Sequence, residues 1–404
     1  MNTGDTAFLL VSAALVLLMT PGLGLFYGGM VRGKNVLGTI MHSFFALGIV
    51  TVVWILWGYS LAFGPDVGGV IGSLKYVGLA GVGLTPHPTY GPTIPHVLFM
   101  AFQMMFAVIT PALITGAFAE RMKFSAYVVF TVLWVTLVYS PLAHWVWGGG
   151  WLARLGALDF AGGAVVHINS GLAALAAVLV IGRRRGFPTE PFMPHNLPMT
   201  LTGAGLLWFG WFGFNAGSAL AANGQAANAF VATHVAGATA AVSWVLIEWL
   251  HRGRATTLGA ASGAVAGLAG ITPGAGFVGP LSALVIGALA GAICYGGVTL
   301  KLRFRYDDSL DVFGIHGLSG TFGILATGLF AQEAIGKVNG LFFGNAAQFG
   351  IQVVTVLASA AFSFIVTFLI LKLVDVTIGL RISEEEESAG LDLSQHSETG
   401  YSTA

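Results

Sequence analysis

The sequence predicts an all-α integral membrane protein, and three observations carry that prediction. Only 8% of the 404 residues are Asp, Glu, Lys or Arg, against about 25% in a soluble domain. Apolar residues make up 56% of the chain, so lipid must contact much of the surface. The apolar residues are gathered in long runs, and roughly 20 such residues are needed to cross the hydrocarbon layer as a helix.

Eleven runs meet that pattern: 6–31, 35–63, 94–118, 124–143, 161–182, 197–218, 226–250, 257–276, 278–300, 311–331 and 346–375. The first is read as a retained span and not as a secretory leader. Residues 1–10 hold Asp5 and no Lys or Arg, and the run continues beyond a leader's apolar core. The run at 257–276 is rich in Gly and Ala and is the weakest hydrophobic signal of the eleven. Charged residues, with Pro or Gly, punctuate the connections.

Lys and Arg set the expected orientation. With the N-terminus outside, the inner side holds Arg32, Lys34, Arg121, Lys123, Arg183, Arg184, Arg185, Arg252, Arg254, Lys301, Arg303, Arg305, Lys372 and Arg381. Lys75, Arg154 and Lys337 fall outside. Fourteen cations against three is the bias expected of inward-facing loops. The C-terminus is then inside. Residues 1–375 form the membrane domain and 376–404 a polar cytoplasmic tail. The run Glu384–Glu387 is expected to be solvated or flexible, with a docking role for the tail as the alternative. Net charge is zero, which gives no reason to expect a nucleic-acid partner. Cys294 is the sole cysteine, excluding an intrachain disulfide, and reads as a small buried residue.

Two short strings recur five spans apart. His167-Ile-Asn-Ser170-Gly171 resembles His316-Gly-Leu-Ser319-Gly320, and Ile109-Thr110-Pro111 matches Ile271-Thr272-Pro273. An odd number of spans per unit turns the second copy upside down. This predicts an inverted repeat, about 6–182 and about 197–331, with a long peripheral eleventh helix at about 346–375. Such repeats place a substrate path at their interface near the bilayer midplane. The many glycines, Gly22, Gly24, Gly28 and Gly29 among them, are expected to let helix backbones approach.

Ionisable groups inside lipid are costly and are functional candidates by default. His167 and His316 stand at repeat-related positions and are expected to converge. Burial favours their neutral forms. A neutral ring has one donor and one acceptor nitrogen, so a pair can bond together and still offer a polar edge to a passing molecule. His42 and His234 have no repeat partner and are read as structural. Phe102, Phe106, Trp147, Phe212 and Phe214 lie in the outer halves of spans three and six or before span five. Ring faces attract a cation by about 0.5–2 kcal/mol, or rings form an apolar gate, but core packing is the ordinary role of any one of them. Asp159 is placed to cap span five, and to lower the cost of a cation there. Asp311 is expected to cap span ten. Glu120 with Arg121, and Glu248 with Arg252, read as interfacial ion pairs. No phosphate loop, metal-ligand spacing or nucleophile motif occurs, so no enzyme activity and no cofactor is expected.

Five strings give the chain a strong resemblance to the ammonium transporter family, which includes the Rhesus-type proteins. They are Pro21-Gly-Leu-Gly-Leu-Phe-Tyr-Gly-Gly-Met30, Ala143-His-Trp-Val-Trp-Gly-Gly-Gly-Trp151, Asp159-Phe-Ala-Gly-Gly-Ala-Val-Val-His-Ile-Asn169, Trp208-Phe-Gly-Trp-Phe-Gly-Phe-Asn-Ala-Gly-Ser218 and Asp311-Val-Phe-Gly-Ile-His316. The resemblance implies a homotrimer in which each subunit has eleven helices and its own pore for ammonium or ammonia. It implies an outer recruitment site of Phe102, Trp147 and Ser218, a stacked gate of Phe106 and Phe214, a pore pair of His167 and His316, and Asp159 as supporting carboxylate. It implies multi-pass placement in a cell membrane, the plasma or inner membrane of a prokaryote. It also implies a possible PII-class regulatory partner at the cytoplasmic face. In the tail, Ser397 follows His396 where the family usually has Gly, which leaves local tail geometry open. The alternative reading is an ammonium sensor signalling through the tail. A long or enzymatic tail domain would favour it, and 376–404 is neither. A haem protein or membrane enzyme using the buried histidines is a third reading, which an absorption spectrum would separate.

Overall fold

The computed structural model describes residues 1–401. Nine helices in it are long and apolar enough to cross a membrane. They are α1 (Thr3–Met30), α2 (Gly33–Phe63), α3 (His96–Ile114), α4 (124–146, the apolar stretch running on to Leu155), α5 (Gly163–Ile181), α7 (Gly224–Arg252), α9 (Pro280–Phe304), α10 (Phe313–Phe330) and α11 (Ala346–Ile378). Two more, α6 (Leu197–Gly217) and α8 (Thr257–Ile271), occupy the remaining runs. At 15 residues α8 is only about 22 Å long. Its Gly- and Ala-rich sequence suits packing inside protein: a Cβ on Gly267 would lie 2.3 Å from the Ala236 carbonyl oxygen of α7. The chain is therefore a multi-pass, all-α membrane protein. Its only strands are two short hairpins, 66–72 and 86–95, among the described residues.

Local chemistry sets the helix starts. Asn2, Asn196, Asn223, Thr256 and Asn345 each accept a backbone N–H from the first turn of α1, α6, α7, α8 and α11, satisfying donors that a helix end leaves unpaired. Packing then depends on small residues. A Cβ on Gly29 would sit 2.4 Å from the Asn196 carbonyl oxygen, and one on Gly203 would sit 2.3 Å from the Phe26 nitrogen, so α1 and α6 lie backbone to backbone. The glycines of the first span thus have the packing role expected of them. α11 turns Gln352, Thr355, Ser359, Ser363 and Thr367 inward while Leu357, Ile365 and Leu369 stay exposed. It packs on α5, α10 and α4 from one side.

Two faces cap the bundle. The N-terminal face carries both hairpins and the 218–223 turn. The tail face carries the cationic loops, and there two sequence expectations need correction, while a third, for the Glu384–Glu387 run, holds only for its exposed first residues. Glu120 does not pair with Arg121. It takes Arg32 at 2.8 Å and Arg184 at 3.3 Å, because its backbone turns into the left-handed region at φ 73° and separates the two side chains. Arg121 instead donates to the carbonyls of Asp307 at 2.6 Å, Ala117 at 3.1 Å and Gly182 at 3.0 Å. Glu248 forms no bond to Arg252. Its carboxylate is turned to Thr256, accepting the backbone N–H at 3.2 Å and the hydroxyl at 2.8 Å. The Glu384–Glu387 run is ordered as a short helix, Glu384–Ala389, with a Ser383/Glu386 capping box. Glu387 is buried, bonded to Arg381 at 2.6 Å and to the Arg185 N–H at 2.8 Å. The tail is further tied by Lys123 N–H to the Leu380 carbonyl, and by Gly38 N–H to Asp392, both at 2.8 Å.

Candidate functional site

α5 and α10 cross at the centre of the bundle, and glycine makes the crossing possible. A Cβ on Gly171 would lie 2.2 Å from the Gly317 Cα, and one on Gly320 would lie 2.8 Å from the His167 Cβ. These two glycines each stand four residues beyond a histidine. Both histidines lie in a π-helical turn, at Gly163–Ile168 and Phe313–Gly317. Such turns widen a helix locally and recur at functional sites. The result is that His167 and His316 stack at 5.3 Å between ring centroids and 14° between planes. Their Nδ1 atoms are 3.3 Å apart, so one must carry the proton and the other accept it. His167 Nε2 is buried and has no partner among the described residues.

The pair borders a closed apolar cavity of about 10 Å³ walled by Met19, Leu23, Phe26, Leu113, Phe214 and Val265, close to the smallest space that holds one water-sized molecule. Trp211 stacks on His167 at 5.6 Å, and its indole N–H is held by Thr272 at 2.9 Å. Thr272 belongs to the recurring Ile-Thr-Pro string. Its counterpart Thr110 donates to the Phe106 carbonyl at 2.6 Å. Thr272 thus fixes the Trp211 ring, while Thr110 bonds only the backbone of its own helix.

On the side toward the N-terminal face, the Phe106 and Phe214 rings lie 4.3 Å apart and close the cavity from a wider hollow of about 270 Å³. Trp147 and Ser218 line that hollow. The Ser218 hydroxyl donates to the Phe214 carbonyl at 2.8 Å. Phe102 does not line it: the ring is fully buried against Phe106 at 5.0 Å and beside Gly217. Phe212 stands apart altogether, stacked on Phe230 at 4.1 Å, because it projects from the other face of α6. His42 packs on Tyr127 at 4.5 Å and His234 on Trp208 at 5.6 Å, both away from the pair. Phe160, Tyr90 and Gln103 also line the hollow. Nothing in their local sequence separates them from ordinary packing residues.

Asp159 is buried, and its two oxygens accept four backbone N–H groups: Gly162 at 2.8 Å, Gly163 at 2.6 Å, Ala164 at 2.8 Å and Val165 at 3.2 Å. Its own carbonyl accepts the Trp147 indole N–H at 2.9 Å. The carboxylate thus fastens the start of α5 and, through the backbone, the wall of the hollow. At the corresponding end of α10 the capping expectation fails for Asp311. Its backbone is left-handed at φ 62°, which swings its side chain onto Lys301. Asp308 takes the role instead, accepting the Phe313 N–H at 2.8 Å. The signal was present in the sequence: Asp159 and Asp308 each stand eight residues before a histidine of the pair.

Long apolar helices around an enclosed, polar-edged interior define a class, the multi-pass membrane transport protein. Known proteins narrow it. The signature of the Ammonium Transporter Family matches residues 7–401. An ammonium transporter of Bacillus subtilis is 54% identical, covering 99% of each chain. Ammonium transporter Amt1 of Archaeoglobus fulgidus is 50% identical over 99% of this chain and 100% of its own. The crystal structure of Saccharomyces cerevisiae Mep2 superposes with a TM-score of 0.90 at 37% identity, covering 96% of this chain and 89% of that one. The chain belongs to the ammonium transporter family; it is a transporter and not an enzyme.

Proposed function

We propose that the protein conducts ammonium nitrogen through one pore per subunit, entering at the N-terminal face and leaving at the tail face. One observation carries the reading: two histidines in contact inside a closed apolar cavity, beneath a pair of phenylalanine rings. The hollow over those rings gathers the cation. Trp147 and Phe106 offer ring faces worth about 0.5–2 kcal/mol to it, and the Ser218 hydroxyl oxygen offers an acceptor. Phe102 supports the Phe106 ring from behind, and Asp159 holds the wall in register. Passage beyond the rings requires a species that tolerates the loss of its water shell. Ammonium gives up its proton to the His167–His316 pair, which relays it toward the tail-side water, and ammonia crosses the cavity hydrogen-bonded by the imidazole edges. Potassium matches ammonium in charge and size and has no proton to shed, so desolvation rejects it.

The cation bias of the loops supports the tail face as the cytoplasmic one. On this reading the eleven helices are eleven crossings, built as two inverted five-helix units (about 6–182 and 197–331) and a peripheral helix, with 376–404 as a separate cytoplasmic tail. The subunit acts in a homotrimer in a prokaryotic plasma or inner membrane. The ordered tail offers a surface for a PII-class protein.

The test is ammonium-evoked current in proteoliposomes, with and without potassium. His167→Ala combined with His316→Ala is expected to let potassium compete. Unaltered selectivity in a folded double variant would remove the mechanism. Trp147→Leu is expected to weaken apparent affinity, and an unchanged value would remove the recruitment site.

A further inference from the structure

The two helices that meet at the histidines begin with carboxylates at one spacing, yet those carboxylates are bonded differently. Asp159 spends both oxygens on backbone amides. Asp308 bonds through Oδ2 to the Phe313 N–H, while its Oδ1 is buried with no partner among the described residues. The whole residue is 1% exposed. An ionised oxygen in that position is costly, and the cost disappears when it binds a proton.

We propose that Asp308 is the tail-side positioning residue for His316 and that it exchanges a proton with the aqueous phase on the tail side, so that loss of that proton, as the pH there rises, loosens the start of α10 and slows conduction. The conduction part rests on the function proposed above. A carboxylate accepts an amide N–H more strongly than a carboxylic acid does. Burying the charge costs more than that stronger bond returns, so the neutral acid, whose carbonyl oxygen still accepts the Phe313 N–H three residues before His316, holds the helix start closed, and the ionised group is drawn toward water. The proton comes from hydronium in the tail-side water and returns to it; no bond other than O–H forms or breaks.

The charged and titratable neighbours fit this exchange. Lys301 donates to the Asp308 carbonyl at 2.8 Å and sits against Asp311, so its charge is shared. Asp311 adds like charge, and the Tyr27 and Tyr306 phenols also face the carboxyl. Arg121 lies on the other side, but its hydrogen bonds go to carbonyls and Ser309. The adjacent Asp307 is occupied by Arg184 at 2.8 Å. Burial pushes the Asp308 carboxyl up to about 6; Lys301 opposes the shift and Asp311 adds to it. That value places the exchange between neutral and mildly acidic conditions.

Asp308→Asn separates the two parts of the idea. Its carbonyl oxygen can still accept the Phe313 N–H, but it cannot titrate. Backbone amide exchange of the 308–318 segment, read by mass spectrometry without ammonium and corrected for intrinsic rates, is expected to quicken in the wild type as pH rises through 6. It is expected to stay level in D308N. Flux in proteoliposomes, with lumen and bath pH varied in turn at constant ammonium, is expected to fall as pH rises through 6 on the tail side only, and that dependence is expected to be lost in D308N. Wild-type exchange that ignores pH overturns the proposal, and so does a D308N response equal to the wild type's. Should D308N fail to fold, the wild-type exchange profile alone decides. Because that profile needs no transport, the proposed function can fail while proton exchange at Asp308 stands, and the reverse.

Discussion

Asp159 and Asp308 share a spacing to a histidine, a buried position and a helix start, and they differ in what surrounds them. Asp159 sits in a glycine-rich turn, Gly162-Gly163-Ala164, whose amides converge on it. Asp308 sits in a loop crowded with other charges. Its neighbour Asp307 shows how local that setting is. Burial alone would raise Asp307, but hydrogen bonds from Arg184 and the charge of Arg121 outweigh it and hold Asp307 below the ordinary carboxylate range. Asp308, one residue on, is held above it. Repetition in sequence can place a carboxylate, but the amides and guanidiniums around it decide whether it is a fixed clamp or a group that titrates.

The largest expected effect comes from separating the two helices. Gly171→Leu drives a side chain into the Gly317 backbone and is expected to abolish flux and to destabilise the subunit by about 3 kcal/mol or more, read as a fall in thermal midpoint. Wild-type flux in that variant would show that the crossing tolerates a wider gap. Next comes Asp159→Ala. It strips partners from four buried amides, each costing about 1–3 kcal/mol when left unpaired. Amide exchange at 162–165 is expected to quicken far more than exchange at 312–316 does in Asp308→Ala. Equal responses would erase the distinction between clamp and titrating group.

Acid should distinguish the neighbours by sign. Asp307, whose folded pKa is depressed, contributes stability that is present above its unfolded value and is lost as pH falls through the folded one. Asp308, whose folded pKa is raised, contributes stability that is present below its unfolded value and is lost as pH rises through about 6. The difference in thermal midpoint between wild type and D308N is therefore expected to change between pH 4 and 7, and a flat difference would argue against the buried charge. Smaller still is Thr272→Val, which leaves the Trp211 indole N–H without its acceptor at about 1–3 kcal/mol; a shift in tryptophan fluorescence and lowered flux are the readouts. Smallest is Glu387→Ala, which removes the carboxylate partner of Arg381 and leaves it only its bonds to the Arg183 and Ile181 carbonyls. It is expected to speed tryptic cleavage at Arg381 with little change in the thermal midpoint.

Much of the site was legible because membrane sequences have a restricted vocabulary. A histidine in an apolar run is conspicuous, and two with matching neighbours are more so. The structure brings them together at 3.3 Å. Phe106, Phe214, Trp147 and Ser218 gather around one hollow and its floor. Phe102 and Phe212 show the limit. Aromatic residues are so frequent, 29 phenylalanines in all, that type alone cannot tell a lining ring from a supporting one. Helix phase decides it.

By itself the sequence determined the class of protein, the stretches able to cross lipid, the repeated strings and the pair of histidines, because each is a matter of composition or spacing. Tertiary structure alone decided the partners of the charges. Glu120 left its neighbour Arg121 for Arg32 and Arg184, Glu248 turned to Thr256, and Asp308 replaced Asp311 as the cap of α10. The physical reason is that a charge bonds to whatever group is nearest in space, and left-handed turns at Glu120 and Asp311 redirect side chains in ways no linear spacing records.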